Sequence, residues 1–162
     1  MEKTVLIWTD IENLTKNVMD NMKAANWQPS IIVGITRGGL VPAILISQQL
    51  SIPMVSLDVS FRDNELFGPE SHWIPEKIAD GHQILVMDDI NDSGETFIWI
   101  KRDWTETTKH FPKIGSNFPW ETHIKFGSLI HNVPSKFKSD FYGLKINKDT
   151  NPTWIKFPWE KQ

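Results

Sequence analysis

The chain has 162 residues, no cysteine and a formal net charge of −3. This length suits one domain with a buried core and is too short for two ordinary domains. The absence of cysteine excludes disulfides and thiolate metal sites, and a pI near 5.9 argues against a protein that binds nucleic acid through a basic surface. No apolar run is long enough to span a bilayer. With no signal-peptide pattern at the N-terminus, we expect a cytoplasmic protein without a membrane partner.

The apolar pattern of the first half predicts strands that alternate with helices. Residues 5–8 indicate a short strand, and Thr9 followed by Glu12 three residues later is typical of a capping box. The helix that this box would begin carries apolar residues at helical spacing and is expected to end before Pro29. The next predicted elements are a strand, a helix and a strand: Ile31–Ile35, Leu40–Leu50 and Pro53–Val59.

The second half continues the alternation, interrupted by two irregular stretches. Residues 61–75 are polar and carry glycine and proline, which predicts a loop, and residues 109–120 look like an irregular insertion. The tail from Thr150 is expected to be mostly irregular. The remaining predicted elements are a strand at Ile84–Asp88, a helix from Thr96 to about Trp104, and strands at Ile124–Ile130 and Phe141–Ile146. This alternation predicts an α/β fold with a mostly parallel, doubly wound sheet.

The most informative segment runs from residue 84 to residue 96. Four apolar residues lead into the carboxylate pair Asp88 and Asp89, and Asp92 follows. The segment ends in a short turn that opens a helix: Ser93, Gly94, Glu95 and Thr96. Ligands of open α/β sheets bind at the carboxyl ends of strands, and the N–H groups at a helix start hold phosphate. The segment therefore fits a phosphorylated sugar, although a solvated acidic turn is the alternative.

This segment resembles the 5-phosphoribosyl-1-pyrophosphate (PRPP) motif of type I phosphoribosyltransferases. That motif is an apolar strand, two acids, two residues, Asp, Ser or Thr, Gly, any residue and Thr, and residues 86–96 match it throughout. The resemblance implies one domain over residues 1–162: a mostly parallel twisted sheet flanked by helices, with a small C-terminal hood. It also implies a mobile loop at 61–75 and places the base-binding hood at 150–162, with 109–120 as an insertion.

A glycine turn upstream adds a second candidate anion site. Arg37, Gly38 and Gly39 lie between a predicted strand and a predicted helix. Glycines let the backbone approach an anion, a helix start supplies positive potential, and a guanidinium donates pairwise to phosphate oxygens. An ordinary turn with a surface arginine is the alternative. Beside the acidic motif, the turn resembles the family's pyrophosphate loop, in which the peptide at Thr36–Arg37 is often cis in 6-oxopurine members.

The tail carries a third match. Thr153 to Trp159 resembles the Thr-Trp-Ile-x-x-Pro-Trp segment of the xanthine–guanine (6-oxopurine) branch of the family. The resemblance implies that Trp154 and Ile155 line the base pocket, where a flat ring over a base contributes about 1–3 kcal/mol. Alternatively, Trp154 is a core residue that fixes the tail.

The chain departs from the family at the base. The purine enzymes usually have a lysine after the strand that follows the PRPP helix, and here His131 or Asn132 holds that place. Lys136 is the next lysine along the chain. His131 and Asn132 are therefore both candidate base-binding residues, since Asn donates and accepts and neutral His does one of each. Each could equally be structural.

Taken together, the resemblance implies Mg²⁺-dependent transfer of the 5-phosphoribosyl group from PRPP to guanine, xanthine or hypoxanthine, with release of pyrophosphate. Asp88 and Asp89 would hold the ribose hydroxyls, with Asp89 also the metal ligand, and Asp92 would be the catalytic base. The other residues implied to bind PRPP are Arg37, Gly38, Ser93, Gly94, Glu95 and Thr96. A homodimer or homotetramer is implied as well.

Two alternatives stay open. One is the same chemistry on a different base. The other is a regulator of the same fold that binds PRPP or a nucleotide and controls a partner. The presence of Asp92 and Arg37 favours an enzyme, because a sensor of PRPP needs no acid on the base side.

Overall fold

The computed structural model of the protein describes residues 2–62, 65–67, 73–110, 112 and 118–161. None of the described helices is long and apolar enough to cross a membrane. In chain order the elements are β1 (Glu2–Val5), α1 (Trp8–Ala24), β2 (Ile31–Thr36), α2 (Leu40–Leu50), β3 (Met54–Asp58), β4 (Ser60–Arg62), β5 (Glu65–Phe67), α3 (Trp73–Ala79), β6 (Ile84–Asn91), α4 (Glu95–Thr108), α5 (Trp120–His123), β7 (Ile124–Asn132), β8 (Phe141–Ile146) and β9 (Thr153–Lys156).

Five strands form the central sheet in the order β3-β2-β6-β7-β8. All four neighbouring pairs are parallel. In this register Val86 at the centre pairs with Val33 on one side and Phe126 on the other. The mostly parallel sheet flanked by helices that the sequence predicts is confirmed. Since parallel strands point the same way, the residues that follow them meet at one edge.

The core lies on both faces of the sheet because successive strand residues point to opposite sides. Leu85 and Met87 of β6 pack with the buried stripe of α1 and α2. Val86, between them in sequence, packs on the other face with α3 and α4, where Phe97 and Trp104 are fully buried. Burying such a side chain stabilises the fold by about 1.5–3 kcal/mol.

The predicted capping box at Thr9 is wrong by two residues. Helix α1 begins at Trp8, and the N–H of Ile7 donates to Asp10 Oδ2 at 2.8 Å. A carboxylate in the first turn both accepts this bond and complements the positive end of the helix. Helix α4 is also longer than predicted and ends at Thr108.

Two irregular stretches of the prediction, the tail and residues 61–75, contain regular structure. The tail includes β9, which pairs in parallel with β1. Within 61–75, β4 and β5 form an antiparallel pair and α3 begins at Trp73. Residues 63–64 and 68–72 lie outside the described residues, as do 111 and 113–117 of the 109–120 stretch. Short pairings such as β1 with β9 join chain ends far apart in sequence, which local pattern does not reveal.

Candidate active site

The glycine loop after β2 crosses the end of β6. A side chain on Gly38 would collide with the carboxylate of Asp89, and one on Gly39 would collide with the backbone of Met87 and Asp88. Glycine is therefore required for this close approach. The Thr36–Arg37 peptide is cis. The structure thus brings the predicted anion loop and the predicted acid pair into direct contact.

Each of the two acids of β6 accepts a hydrogen bond from the backbone N–H of the next residue. Asp89 N–H donates to Asp88 Oδ1 at 2.9 Å, and Ile90 N–H donates to Asp89 Oδ1 at 2.7 Å. Burial raises the pKa of Asp88 well above its ordinary value, and the neighbouring charge of Asp89 adds to this. Burial also raises the pKa of Asp89, with the charge of Glu160 acting in the same direction. The site therefore favours a cation beside the two carboxylates.

These carboxylates fit a magnesium ion that is shared with a substrate. Mg²⁺ prefers oxygen ligands and uses one or two carboxylates together with waters and phosphate oxygens. Within the described part of the chain, no group of three or more Asp, Glu or His side chains could hold a metal by itself. Asp88 and Asp89 would accordingly supply part of the coordination, and a bound substrate the rest.

The candidate phosphate loop, residues 93–96, follows the acid pair in the chain. Gly94 has φ of 89° and lies against Phe137, so a side chain there would be both strained and obstructed. Ser93 Oγ accepts from Glu95 N–H at 3.3 Å, and Ser93 O accepts from Lys136 N–H at 3.0 Å. A cavity of about 90 Å³ opens at the N-terminus of α4, lined by residues 88 and 90–97. It has the room and the donor polarity for a phosphate group.

Asp92 immediately precedes this loop and lines the same cavity. Its Oδ1 accepts from Asn132 Nδ2 at 2.9 Å, and its Oδ2 lies 2.6 Å from Lys148 Nζ. Sequence reasoning missed Lys148. The signal that could have found it is strand order, because Lys148 follows β8, and β8 ends at the same edge of the sheet as β7 and β6.

The two alternatives at the expected lysine position have different surroundings. Asn132 contacts Asp92. His131 is buried, with its Nδ1 3.2 Å from Asn91 Nδ2 and its ring 5.5 Å from that of Tyr142 in a near-parallel stack. Burial lowers the pKa of His131, and Lys145 and Lys138 lower it further. The structure therefore brings Asn132 to the acidic motif and places His131 in the packing beneath it.

The two candidate base-binding residues of the tail, Trp154 and Ile155, differ in exposure. Trp154 is 55% exposed, whereas Ile155 is 7% exposed and belongs to the core beside α1. Neighbours on a strand point to opposite faces, so one ring faces solvent while the adjacent aliphatic side chain anchors β9. Trp154 is thus available to a ligand, and Ile155 holds the strand that carries it.

Comparison with known proteins agrees with these observations. The model of the "Phosphoribosyl transferase domain" family matches residues 2–160. The xanthine-guanine phosphoribosyltransferase of Cereibacter sphaeroides is 34% identical over 134 residues, which are 80% of this chain and 68% of the relative. The enzyme of that name from Idiomarina loihiensis is 26% identical, covering 94% of this chain and 84% of the relative.

A solved structure shows the same fold. The purine phosphoribosyltransferase of Pyrococcus horikoshii superposes with a TM-score of 0.72 at 22% identity, covering 100% of this chain and 97% of that one. The family predicted from the PRPP motif is therefore confirmed. With its motif, its fold and a family match from residue 2 to residue 160 in agreement, the chain belongs to the phosphoribosyltransferase family.

Proposed function

We propose that the protein transfers the 5-phosphoribosyl group of PRPP to a 6-oxopurine, namely guanine, xanthine or hypoxanthine, and releases pyrophosphate. The observation that carries this proposal is the convergence at the end of β6: the glycine loop at Gly38, the acid pair and the phosphate cavity lie side by side. The names of the two curated relatives support a purine as the acceptor.

The roles of the residues follow from their chemistry. Arg37 and the backbone at Gly38 bind the pyrophosphate, since a guanidinium and close N–H groups suit phosphate oxygens. The 5′-phosphate sits in the cavity at the start of α4, held by residues 93–96. Asp88 and Asp89 accept hydrogen bonds from the ribose 2′- and 3′-hydroxyls. A ligand that donates to both carboxylates offsets the unfavourable burial of their charges.

Asp89 would hold Mg²⁺, which would supply charge neutralisation for the departing pyrophosphate. The base enters on the side of Asp92, which accepts its ring proton as the new bond to the sugar forms. A positioned base of this kind contributes about 10²–10⁴-fold to rate. Trp154 covers one face of the base, and Ile155 supports it from the core. Of the two remaining candidates, Asn132 lies at the base side and His131 supports it from behind.

The alternative functions are tested by the same assay. Pyrophosphate release is measured with PRPP and Mg²⁺ and with guanine, xanthine, hypoxanthine, adenine, uracil or orotate offered separately. Turnover of a 6-oxopurine supports the proposal. Turnover of another base alone would mean that the chemistry is as proposed but the acceptor is that base. No release with any base, despite tight PRPP binding, contradicts the enzyme and favours a regulator.

The variant Asp92→Asn separates an enzyme from a sensor. It keeps the volume and an acceptor oxygen but removes the base, so turnover should fall by about 10²-fold or more. Binding of PRPP should stay close to that of the wild type. The homodimer or homotetramer and the cytoplasmic location stay predictions, of which size-exclusion chromatography tests the first.

A further inference from the structure

A buried amide lines the candidate phosphate cavity. Asn91 is the last residue of β6, is 3% exposed and borders the cavity together with residues 92–97. The PRPP motif leaves the residue at this position open. Strands of a parallel sheet are as a rule apolar, and a buried polar group costs free energy unless it is hydrogen-bonded. The partners of Asn91 therefore indicate what its side chain does.

The side chain of Asn91 is bound by the end of β7 and by the segment that follows it. Its Nδ2 donates to Phe137 O at 2.7 Å and to Ser139 Oγ at 3.0 Å, and lies 3.2 Å from His131 Nδ1. Its Oδ1 accepts from Ser135 Oγ at 3.0 Å. Two amide hydrogens are thus shared among three neighbours, and none is left for a ligand. Asn91 therefore holds this segment rather than a substrate.

The segment after β7, residues 133–139 and here called the supporting turn, lies against the candidate phosphate loop. Lys136 N–H donates to Ser93 O at 3.0 Å. A side chain on Gly94 would begin 2.6 Å from the backbone nitrogen of Phe137, so the two backbones are already in contact. A shift of the supporting turn would therefore displace the backbone that is proposed to hold the 5′-phosphate.

We propose that Asn91 is a positioning residue for the 5′-phosphate: through the supporting turn it fixes the positions of Ser93 and Gly94, and so sets the affinity of the phosphate loop for a sugar phosphate. This inference rests on the proposed function and adds a residue that the PRPP motif does not specify. A loop that is already held in its bound position loses less freedom when the ligand arrives, so it binds more tightly. The amide joins the strand before the loop to the turn beside it.

The test compares Asn91→Leu with the wild type by isothermal titration with ribose 5-phosphate and, separately, with pyrophosphate and Mg²⁺. Leucine is similar in size and removes every hydrogen bond from Asn91 to the supporting turn. The dissociation constant for ribose 5-phosphate should therefore rise about 10-fold or more, since small displacements in positioned sites are costly. The dissociation constant for pyrophosphate, which is proposed to bind at Arg37 and Gly38, should change less than about twofold.

Thr107→Val is the matched control. Thr107 is 7% exposed, and its hydroxyl donates to Asp103 O at 2.9 Å. It lies near the C-terminal end of α4, whereas the phosphate cavity lies at the N-terminal end of that helix. The variant removes a buried hydrogen bond far from the phosphate loop, so both dissociation constants should stay within about twofold of the wild type.

Ser135→Ala tests the same contact from the side of the supporting turn. It removes the donor to Asn91 Oδ1 and the acceptor of Phe137 N–H, and it leaves Asn91 in place. The dissociation constant for ribose 5-phosphate should rise about threefold or more, again without a matching change for pyrophosphate. In turnover, Asn91→Leu and Ser135→Ala should both raise the KM for PRPP more than the KM for the base.

The role of Asn91 is overturned if folded Asn91→Leu binds ribose 5-phosphate within about twofold of the wild type, or if it weakens ribose 5-phosphate and pyrophosphate equally. Thermal unfolding shows whether each variant is folded. If Asn91→Leu does not fold, unchanged ribose 5-phosphate binding by Ser135→Ala overturns the role instead. Because this binding needs no base, failure of every base in turnover would contradict the proposed function alone. A wild type that does not bind ribose 5-phosphate would overturn the role of Asn91.

Discussion

The carboxylate of Asp89 occupies the space in which a side chain on Gly38 would begin. Two segments that are 51 residues apart in sequence therefore share one contact at the carboxyl edge of the sheet. Through this contact the candidate pyrophosphate loop and the candidate ribose and metal site cannot move independently. A substitution at either residue should therefore change the affinity for the ligand bound at the other.

Gly38→Ala should weaken PRPP binding. The added methyl group collides with the Asp89 carboxylate, so either the loop or the acid must shift from the position that suits the ligand. We expect the PRPP dissociation constant to rise at least about tenfold, since small displacements in positioned sites are costly. Isothermal titration with PRPP and Mg²⁺ measures it.

Gly81→Ala is the control for that experiment. Gly81 has a positive φ of 89° and open space around its missing side chain, and it lies in the turn before β6, at the far end of that strand from the acids. This variant should cost about 1–2 kcal/mol of stability and leave PRPP binding unchanged. Equal PRPP affinity of Gly38→Ala and wild type would contradict the proposed pyrophosphate loop.

Asp88→Asn should stabilise the protein without ligand while weakening its activity. Burial raises the pKa of Asp88, so the folded state holds its proton more tightly than the unfolded state does. The resulting stabilisation is full below the ordinary carboxyl pKa and is lost as pH rises through the folded pKa. The variant should therefore melt higher than the wild type at pH 7.5, and the difference should shrink towards pH 4. A lower melting temperature of the variant at pH 7.5 would show that the buried charge of Asp88 does not destabilise the folded state.

His131→Asn should reduce the loss of stability that accompanies a fall in pH. Because burial lowers the pKa of His131, the unfolded state binds its proton first as pH falls, and stability declines below the ordinary histidine pKa. Protonation would also set a donor on Nδ1 against the Asn91 amide nitrogen. The wild type should lose more stability between pH 7 and pH 5 than the variant, measured by chemical denaturation. His110→Asn, at an exposed position, should keep the wild-type slope.

Trp154 and Ile155 should respond oppositely to truncation. Trp154→Ala removes a ring that is 55% exposed, so stability should change little, while kcat/KM for the base falls by the loss of about 1–3 kcal/mol of stacking. Ile155→Ala leaves a cavity in the core and should cost about 2–5 kcal/mol of stability. Melting temperatures and base kinetics of the two variants check this. Loss of stability in Trp154→Ala with unchanged kinetics would instead favour a purely structural tail.

Much of the fold follows from local pattern. Apolar runs such as residues 84–87 predict strands because a strand buried on both faces needs apolar side chains throughout. The bounds of α2 and β8 agree with the structure at both ends. The pairing of β1 with β9 could not be predicted in this way, because it depends on where the two ends of the chain meet.

The sequence by itself indicated the parallel sheet, because apolar periodicity is set by residues close together in the chain. It indicated the family through the resemblance of residues 86–96 to the PRPP motif. Only the tertiary structure decided which residues surround Asp92. Asp92 and Lys148 are 56 positions apart, and they meet because β6, β7 and β8 are neighbours in a parallel sheet whose strand ends share one edge. Strand order arises from packing of the whole chain, so no local pattern contains it.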